Sequence, residues 1–290
     1  MADGDRTRTL AGGIEISTLG FGTWLIPDGD ETFGAVSAAL AAGYRHLDTA
    51  QAYGNEASVG RAMRDSGIPR AEIFLTTKFN PSRRDPVAEL EHSLERLGVE
   101  HIDLYLVHNP MGGPRRAWPG MERALERGLT RAIGISNFDA GEVEAVCATA
   151  SSPPAVNQVQ LNPFRYRRGL LEACERRGMA VQAWSPLTHG QDLDDPALVA
   201  VAAACERTPA QVLLRWGLQR GLIVIPKSVR PERIAENAQI YDFTLSDAQL
   251  ARLDALDRTG GTAEAVEEKW WTFAARGRRL ASRLTARARR

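Results

Sequence analysis

The sequence predicts a (β/α)8 barrel that forms a single domain. Eight short apolar runs alternate with amphipathic segments along the 290 residues. The runs are apolar throughout rather than alternating, as expected of parallel strands covered on both faces. Eight strand-and-helix units in about 240 residues match the count and size of such a barrel. The predicted strands span residues 18–24, 44–49, 73–78, 102–108, 132–136, 155–160, 180–185 and 222–227.

Signals for helix ends agree with this order. Asp85-Pro86 and Thr208-Pro209 each combine an N-cap residue with proline at the first helical position. Ser246 to Gln249 has the pattern of a capping box. A doubly wound sheet is the weaker alternative, because Gly20-Phe-Gly22 does not continue as Gly-x-Gly-x-x-Gly. Glycines expected to end helices in the left-handed conformation precede five of the strands: Gly43, Gly98, Gly128, Gly178 and Gly221.

The composition argues against several classes of protein. With 43% hydrophobic and 25% charged residues, the chain is ordinary globular material. It has no apolar stretch of about 18 residues that would predict a transmembrane helix, and its first residues lack the apolar segment of a signal peptide. Cys147, Cys174 and Cys205 are widely spaced and contain no Cys-x-x-Cys pair, so neither a zinc site nor a disulfide framework is indicated. We therefore expect a cytoplasmic protein with reduced thiols.

The net charge of zero hides a basic C-terminal segment. Residues 269–290 contain eight basic and no acidic side chains, so the rest of the chain carries a charge of −8. We divide the chain into a barrel at residues 1–258 and a basic amphipathic tail at 259–290. Three roles for the tail stay open: packing on the acidic barrel or across a dimer, moving freely in solvent, or binding an anionic membrane or nucleic acid. Apolar residues recur at helical spacing in it: Val266, Trp270, Phe273, Leu280 and Leu284.

Four polar residues at the ends of predicted strands suggest chemistry. Asp48 ends the second strand, Tyr53 follows it in a loop, and Lys78 and His108 end the third and fourth strands. In a (β/α)8 barrel these strand ends meet at one rim, where active sites lie. A tyrosine with an ordinary pKa near 10 becomes a better proton donor when a lysine lowers that pKa. We expect Lys78 to act in this way with Asp48 as its partner, while His108 hydrogen-bonds a substrate oxygen. This is the chemistry of a carbonyl reductase.

The same segments resemble the aldo-keto reductase family. Gly43 to Glu56 resembles its first signature, Ile102 to His108 matches its fourth-strand segment, and Ile225 to Asn237 resembles its C-terminal cofactor signature. The resemblance extends over residues 19–256. It implies reduction of aldehydes and ketones with NADPH, without metal or flavin. It also implies a catalytic tetrad that is intact here: Asp48, Tyr53, Lys78 and His108.

The resemblance also implies how the chain holds its cofactor. The nicotinamide would stack on Trp184 and bind through its amide to Ser136, Asn137 and Gln158. Because a 2′-phosphate requires positive charge and hydrogen-bond donors, Lys227 and Arg233 predict NADPH over NADH. The predicted cofactor-binding residues are Gly22, Thr23, Asp48, Ser136, Asn137, Gln158, Trp184, Ser185, Leu187, Lys227, Ser228, Val229, Arg233, Glu236 and Asn237.

The substrate is predicted less narrowly. The expected contacts are Trp24, Tyr53, His108 and Asn109. Asn109 stands where the family commonly has tryptophan, which predicts a roomier or more polar wall and favours a dicarbonyl, a keto sugar or a short aldehyde. The alternative function is an NADP-binding regulatory or redox-sensing subunit with little turnover. The expected partner is a small carbonyl compound, and the expected assembly is a monomer or homodimer. Binding of nucleic acid or a membrane depends on the basic tail alone.

Overall fold

The structure, a computed structural model, describes residues 6–262 and contains the predicted (β/α)8 barrel. Eight parallel strands follow one another in chain order, each hydrogen-bonded to the next. The first and last meet at a bridge between Leu19 and Val224, where the Gly20 amide donates to the Val224 carbonyl at 2.9 Å. Two strands outside the barrel come first in the chain, β1 (Thr7–Thr9) and β2 (Glu15–Ser17). The barrel strands are β3 (Phe21–Gly22), β4 (His46–Asp48), β5 (Phe74–Phe79), β6 (Ile102–Val107), β7 (Thr130–Ser136), β8 (Val156–Gln160), β9 (Ala180–Trp184) and β10 (Ile223–Ile225).

Helices follow the barrel strands, with two helices after each of β9 and β10. Within residues 6–262 no single helix is long and apolar enough to cross a membrane. The α7 and α8 helices reach that length and composition only together, and they are bent by 85° where they meet. The helices are α1 (Asp30–Ala41), α2 (Glu56–Asp65), α3 (Pro86–Leu97), α4 (Trp118–Glu126), α5 (Ala140–Cys147), α6 (Arg168–Arg176), α7 (Pro196–Ala204), α8 (Pro209–Gln219), α9 (Pro231–Ala238) and α10 (Asp247–Asp254).

The predicted helix ends are confirmed. Asp85 accepts a hydrogen bond from the Val87 amide at 3.0 Å, with Pro86 at the start of α3. Thr208 and Ser246 each form a capping box with the glutamine three residues later. The five glycines predicted to end helices all have φ between 65° and 93°. Each of the eight predicted apolar runs overlaps one barrel strand, so the sequence located all eight strands.

An antiparallel hairpin of β1 and β2 closes one end of the barrel, and the sequence did not predict it. Each of its strands has only three residues, too few for a periodic pattern to be recognised. Buried Leu10 and Ile16 from this segment pack with the apolar residues that fill the barrel interior. The interior residues of this cluster are Phe74, Leu104, Leu106, Ala132, Ala155, Val156, Ala180 and Ile223.

Most of the predicted basic tail lies outside the described residues. These are residues 263–290, which include Val266, Trp270, Phe273, Leu280 and Leu284. The domain boundary after residue 258 stays a prediction.

The start of α2 is anchored to its neighbours by a buried carboxylate. Glu56, only 1% exposed, accepts hydrogen bonds from Thr77 on β5 at 2.7 Å and from the Arg96 guanidinium of α3 at 2.7 Å. One turn later Gly60 lies so close to α3 that a Cβ atom there would stand 2.0 Å from the Leu97 carbonyl oxygen. These contacts fix the loop between β4 and α2, which carries Tyr53.

We predict that Gly60→Ala destabilises the protein by about 1–3 kcal/mol, because the added methyl group must displace the backbone of α3. Gly34→Ala on α1 is the matched control. No atom lies within 4 Å of a Cβ there, so the greater helix propensity of alanine should stabilise the protein by about 0.5–1 kcal/mol. Urea unfolding measures both. Equal effects of the two substitutions would contradict the close helix contact.

Candidate active site

Lys78 and Asp48 form a buried ion pair at the rim of the barrel. Lys78 is fully buried and Asp48 is 2% exposed. The ammonium Nζ donates to Asp48 Oδ1 at 2.6 Å, to the Thr49 carbonyl at 2.8 Å and to the Tyr53 hydroxyl at 3.3 Å. All donors of the lysine are therefore directed at the end of β4 and the loop that follows it. The structure brings three of the four predicted catalytic side chains into direct contact.

The second oxygen of Asp48 is held from the opposite wall of the barrel. Gln158 on β8 donates to Asp48 Oδ2 at 2.6 Å, and Gln182 on β9 donates to the same oxygen at 3.3 Å. The sequence placed Gln158 in the site but missed Gln182. A glutamine inside a predicted strand carries no signal of its own, and only the closed barrel places β9 opposite β4.

The loop that carries Tyr53 is fixed by one buried amide. Asn55 accepts a hydrogen bond from Thr49 Oγ1 at 2.9 Å and donates to the backbone carbonyls of Thr23 and Ile26 at 2.9 and 3.0 Å. Because Asn55 has no exposed surface, these bonds compete little with water. Asn55 therefore joins the loops after β3 and β4, and the position of Tyr53 depends on both.

His108 follows the end of β6. Together with Asp48, Tyr53 and Lys78 it forms the group of predicted catalytic residues, which we call the catalytic cluster. Its ring meets that of Tyr53 edge to face, with 5.6 Å between the centroids. Its backbone carbonyl accepts a hydrogen bond from Asn137 Nδ2 at 3.0 Å, while Asn137 Oδ1 accepts one from Trp184 Nε1 at 2.9 Å. Asn137 takes the left-handed conformation, with φ of 65°, which asparagine tolerates better than most residues. This chain of contacts fixes the plane of the Trp184 ring relative to the catalytic cluster.

The pKa of Tyr53 differs from the expectation. Burial and the negative charge of Asp48 raise it well above the ordinary value. The net shift is therefore opposite to the expected one, and a lowering contribution from Lys78 stays a prediction. Burial lowers the pKa of Lys78 itself, and the Asp48 carboxylate opposes that shift. The charge of the lysine is directed mainly to Asp48, which lies closer to it than the phenol does.

A cavity of about 540 Å³ extends from the catalytic cluster to the start of α9. Predicted residues that do not line it are Thr23, Lys78, Asn109 and Val229. Lys78 is fully buried and paired with Asp48, which does line the cavity. The Asn109 side chain accepts a hydrogen bond from the Met111 amide at 3.0 Å. Predicted residues that line the cavity are Gly22, Trp24, Asp48, Tyr53, His108, Ser136, Asn137, Gln158, Trp184, Ser185, Leu187, Lys227, Ser228, Arg233, Glu236 and Asn237.

The sequence missed several residues in the loops around the cavity. Trp24 lies edge to face with both Trp184 and His189, at centroid distances of 6.2 and 5.7 Å. His189 and the 68% exposed Leu25 both have positive φ. Loops of this kind have no periodicity from which contacts could be predicted. Other lining residues outside the prediction are Pro186, Gly190, Leu193, Thr208, Pro209, Ala210, Ile225 and Pro226.

Residues 6–262 contain no group of three His, Cys, Asp or Glu side chains placed to hold a metal ion. The ion pair of the catalytic cluster is formed by two side chains of this protein, Lys78 and Asp48. A closed parallel barrel with an enclosed acid–base cluster at its strand ends defines the class: a (β/α)8-barrel enzyme.

Comparisons with known proteins identify the family. The aldo/keto reductase family model matches residues 18–258. An aldo-keto reductase of Mycolicibacterium vanbaalenii is 45% identical over 245 residues, covering 82% of this chain and 88% of the relative. Glyoxal reductase of Bacillus subtilis is 39% identical, covering 87% and 93%. The crystal structure of an aldo/keto reductase from Brucella melitensis has a TM-score of 0.84 at 41% identity, covering 87% of this chain and 99% of that one. The chain therefore belongs to the aldo/keto reductase family and is an oxidoreductase.

A histidine below the site predicts a loss of stability in acid. His46 on β4 is fully buried, with its Nε2 3.3 Å from Thr76 Oγ1, and burial lowers its pKa to about 4. Between pH 6.5 and about 4 the unfolded chain binds a proton that the folded protein does not. The free energy of unfolding should therefore fall as the pH falls through this window, by up to about 3 kcal/mol.

Urea unfolding between pH 7 and pH 4 measures this loss. His46→Asn should flatten the pH dependence, whereas His92→Asn, at an exposed position on α3, should leave it unchanged. Identical slopes in the wild type and His46→Asn would show that another group controls acid stability.

Proposed function

We propose that this protein reduces an aldehyde or ketone to an alcohol with NADPH. The observation that supports this most directly is the hydrogen bond between Lys78 and the Tyr53 hydroxyl at the wall of the cavity, with Lys78 paired to Asp48. The cluster contains a proton donor, a cation beside it and an anion that holds the cation. Bound NADPH supplies the hydride for the carbonyl carbon, and the chain must supply the proton for the oxygen.

Tyr53 is the proposed proton donor. A phenol with an ordinary pKa near 10 is already protonated at neutral pH, and burial raises the pKa of Tyr53 further, so the proton stays until a stronger base appears. An alkoxide that develops on the substrate oxygen is such a base. When the proton leaves, Tyr53 becomes a phenolate 3.3 Å from the Lys78 ammonium, which stabilises the new charge. The role proposed for Lys78 is this stabilisation of the phenolate.

His108 is proposed to position the carbonyl oxygen. It is 5% exposed, lines the cavity and meets the Tyr53 ring edge to face. A neutral imidazole can donate one hydrogen bond to the substrate oxygen while Tyr53 donates the other. Two donors aimed at one oxygen would polarise the carbonyl and hold it for protonation.

The residues that line the cavity support the binding of a dinucleotide. The Trp184 ring, fixed by its hydrogen bond to Asn137, offers a flat apolar surface for the nicotinamide. Ser136 and Gln158 face the same part of the cavity and can hydrogen-bond the carboxamide. We assign the adenosine end to the region around Glu236 and Asn237, where the cavity reaches α9.

Two cations support the choice of NADPH over NADH. Lys227 and Arg233 line the far end of the cavity and are exposed. Within residues 6–262 neither forms an ion pair, so both are available to an anion. Arg233 lies in the first turn of α9, where the helix dipole also favours negative charge. A 2′-phosphate would occupy this end of the cavity.

The substrate is proposed as an aldehyde or ketone, with a small dicarbonyl as the first compound to assay. Asn109, expected to form a polar wall, does not line the cavity, and its side chain accepts a hydrogen bond from the Met111 amide. The cavity wall near Tyr53 includes Trp24 and Leu25, which are apolar. Support for a dicarbonyl comes instead from the similarity to glyoxal reductase. A cytoplasmic location and a monomeric or dimeric state stay predictions.

Tyr53→Phe should lower kcat for glyoxal reduction by about 100- to 10,000-fold, since the proton donor is removed. Binding of NADPH should be retained, because Tyr53 lies at the catalytic end of the cavity. NADPH oxidation at 340 nm and a cofactor titration measure the two effects. Tyr105→Phe is the control, since that hydroxyl bonds the Pro86 carbonyl outside the cavity. Tight NADPH binding by the wild type without turnover of any carbonyl would favour a regulatory subunit instead.

Arg233→Ala should raise the KM for NADPH by about 10- to 100-fold and leave that for NADH unchanged, because only NADPH carries the phosphate. Arg230→Ala is the matched control, since Arg230 is exposed at the start of the same helix but does not line the cavity. Equal changes for the two cofactors in Arg233→Ala would argue against a 2′-phosphate site.

A further inference from the structure

Gln182 is a buried polar residue inside the barrel that the proposed chemistry leaves without a role. It lies on β9, beside Gln158 of β8 in the register of the sheet, and has no exposed surface. Its Nε2 donates at 3.3 Å to Asp48 Oδ2, the same oxygen that accepts from Gln158 at 2.6 Å. Two amides from neighbouring strands therefore converge on one carboxylate oxygen.

The stability of the barrel does not explain a glutamine at this position. The Oε1 atom of Gln182 is buried and has no hydrogen-bond partner among residues 6–262. A buried acceptor without a partner destabilises the folded state. Ile223, which lies beside Gln182 in the register of the sheet, belongs to the hydrophobic cluster inside the barrel. An unbranched apolar side chain of similar length would fill the space without an unpaired oxygen.

The hydrogen bond from Gln182 to Asp48 points to a role for the glutamine in orienting the carboxylate. With two donors on Oδ2, the carboxylate presents Oδ1 to Lys78 Nζ at 2.6 Å, and Lys78 in turn lies 3.3 Å from the Tyr53 hydroxyl. Gln158 lines the cavity and is also assigned to the nicotinamide amide, so its hydrogen bonds are shared. Gln182 does not line the cavity and has no second partner for its amide nitrogen among the described residues.

We propose that Gln182 is a positioning residue that holds the Asp48 carboxylate in the orientation that Lys78 and Tyr53 require. The inference rests on the proposed carbonyl reduction. A positioning role and a structural role for Gln182 predict different effects on stability and on reaction rate. A structural glutamine contributes stability, whereas Gln182 contributes to the rate of the chemical step and lowers the stability of the barrel.

The test compares Gln182→Met with Gln219→Met. Gln219 on α8 bonds both ends of its amide to the Leu245 backbone, at 2.9 and 2.8 Å, and lies outside the cavity. For Gln182→Met we expect an unchanged or higher Tm, an unchanged Kd for NADPH and a kcat for glyoxal lower by about three- to tenfold. The isotope effect on kcat with NADPH deuterated at the transferred position should increase. For Gln219→Met we expect the reverse, a lower Tm with kcat unchanged.

A lower Tm with unchanged kcat in Gln182→Met would overturn the inference. A wild type that reduces no carbonyl would instead refute the proposed function, and unfolding would then test the contact between Gln182 and Asp48 by itself. Asp48→Asn, Gln182→Met and the double variant form a thermodynamic cycle. A direct contact predicts changes in Tm that are not additive, and additive changes would overturn the inference without reference to activity.

Discussion

The buried ion pair of Lys78 and Asp48 is the interaction on which the rest of the site depends. Removing two charges from water is costly, and their attraction compensates only when the remaining hydrogen-bonding groups are also satisfied. The backbone carbonyl of Thr49 and the side-chain amide of Gln158 meet that requirement. These groups come from the end of β4 and from β8 on the opposite wall. The pair can exist only where the barrel brings opposite walls together, so the fold and the chemistry constrain each other.

The pair also changes how the tyrosine should be understood. A lysine beside a phenol suggests an acidified phenol, but here the nearest partner of the lysine is a carboxylate whose charge acts in the opposite direction. In the proposed mechanism the resting site therefore holds the proton on Tyr53. The ammonium becomes important once the proton has moved, because only then does the phenol carry a charge for it to stabilise. A hydrogen-bonded chain with nearly balanced charge can favour transfer without favouring premature ionisation.

The sequence predicted the elements with strong local signals and missed those without them. The eight strands were visible because fully covered strands are continuously apolar, and Asp85, Thr208 and Ser246 marked helix starts through short-range capping chemistry. The tetrad followed from strand ends and from resemblance. The hairpin of β1 and β2 is too short for periodicity, and the contact between Gln182 and Asp48 joins residues 134 positions apart. Asn109 does not line the cavity, and its side chain accepts a hydrogen bond from the Met111 amide, a local contact that the sequence did not indicate, so its role as a substrate contact stays a prediction.

The hairpin that closes the barrel has a consequence at the opposite end of the molecule. Leu10 and Ile16 pack over the apolar interior at the starts of the barrel strands, where Phe74, Ala180 and Ile223 lie. The strength of every charge–charge interaction at Lys78 depends on the polarisability of its surroundings. A segment that touches neither substrate nor cofactor thereby helps to set the local dielectric constant of the site. The electrostatics of the active centre are in this sense a property of the sealed barrel, not of its rim alone.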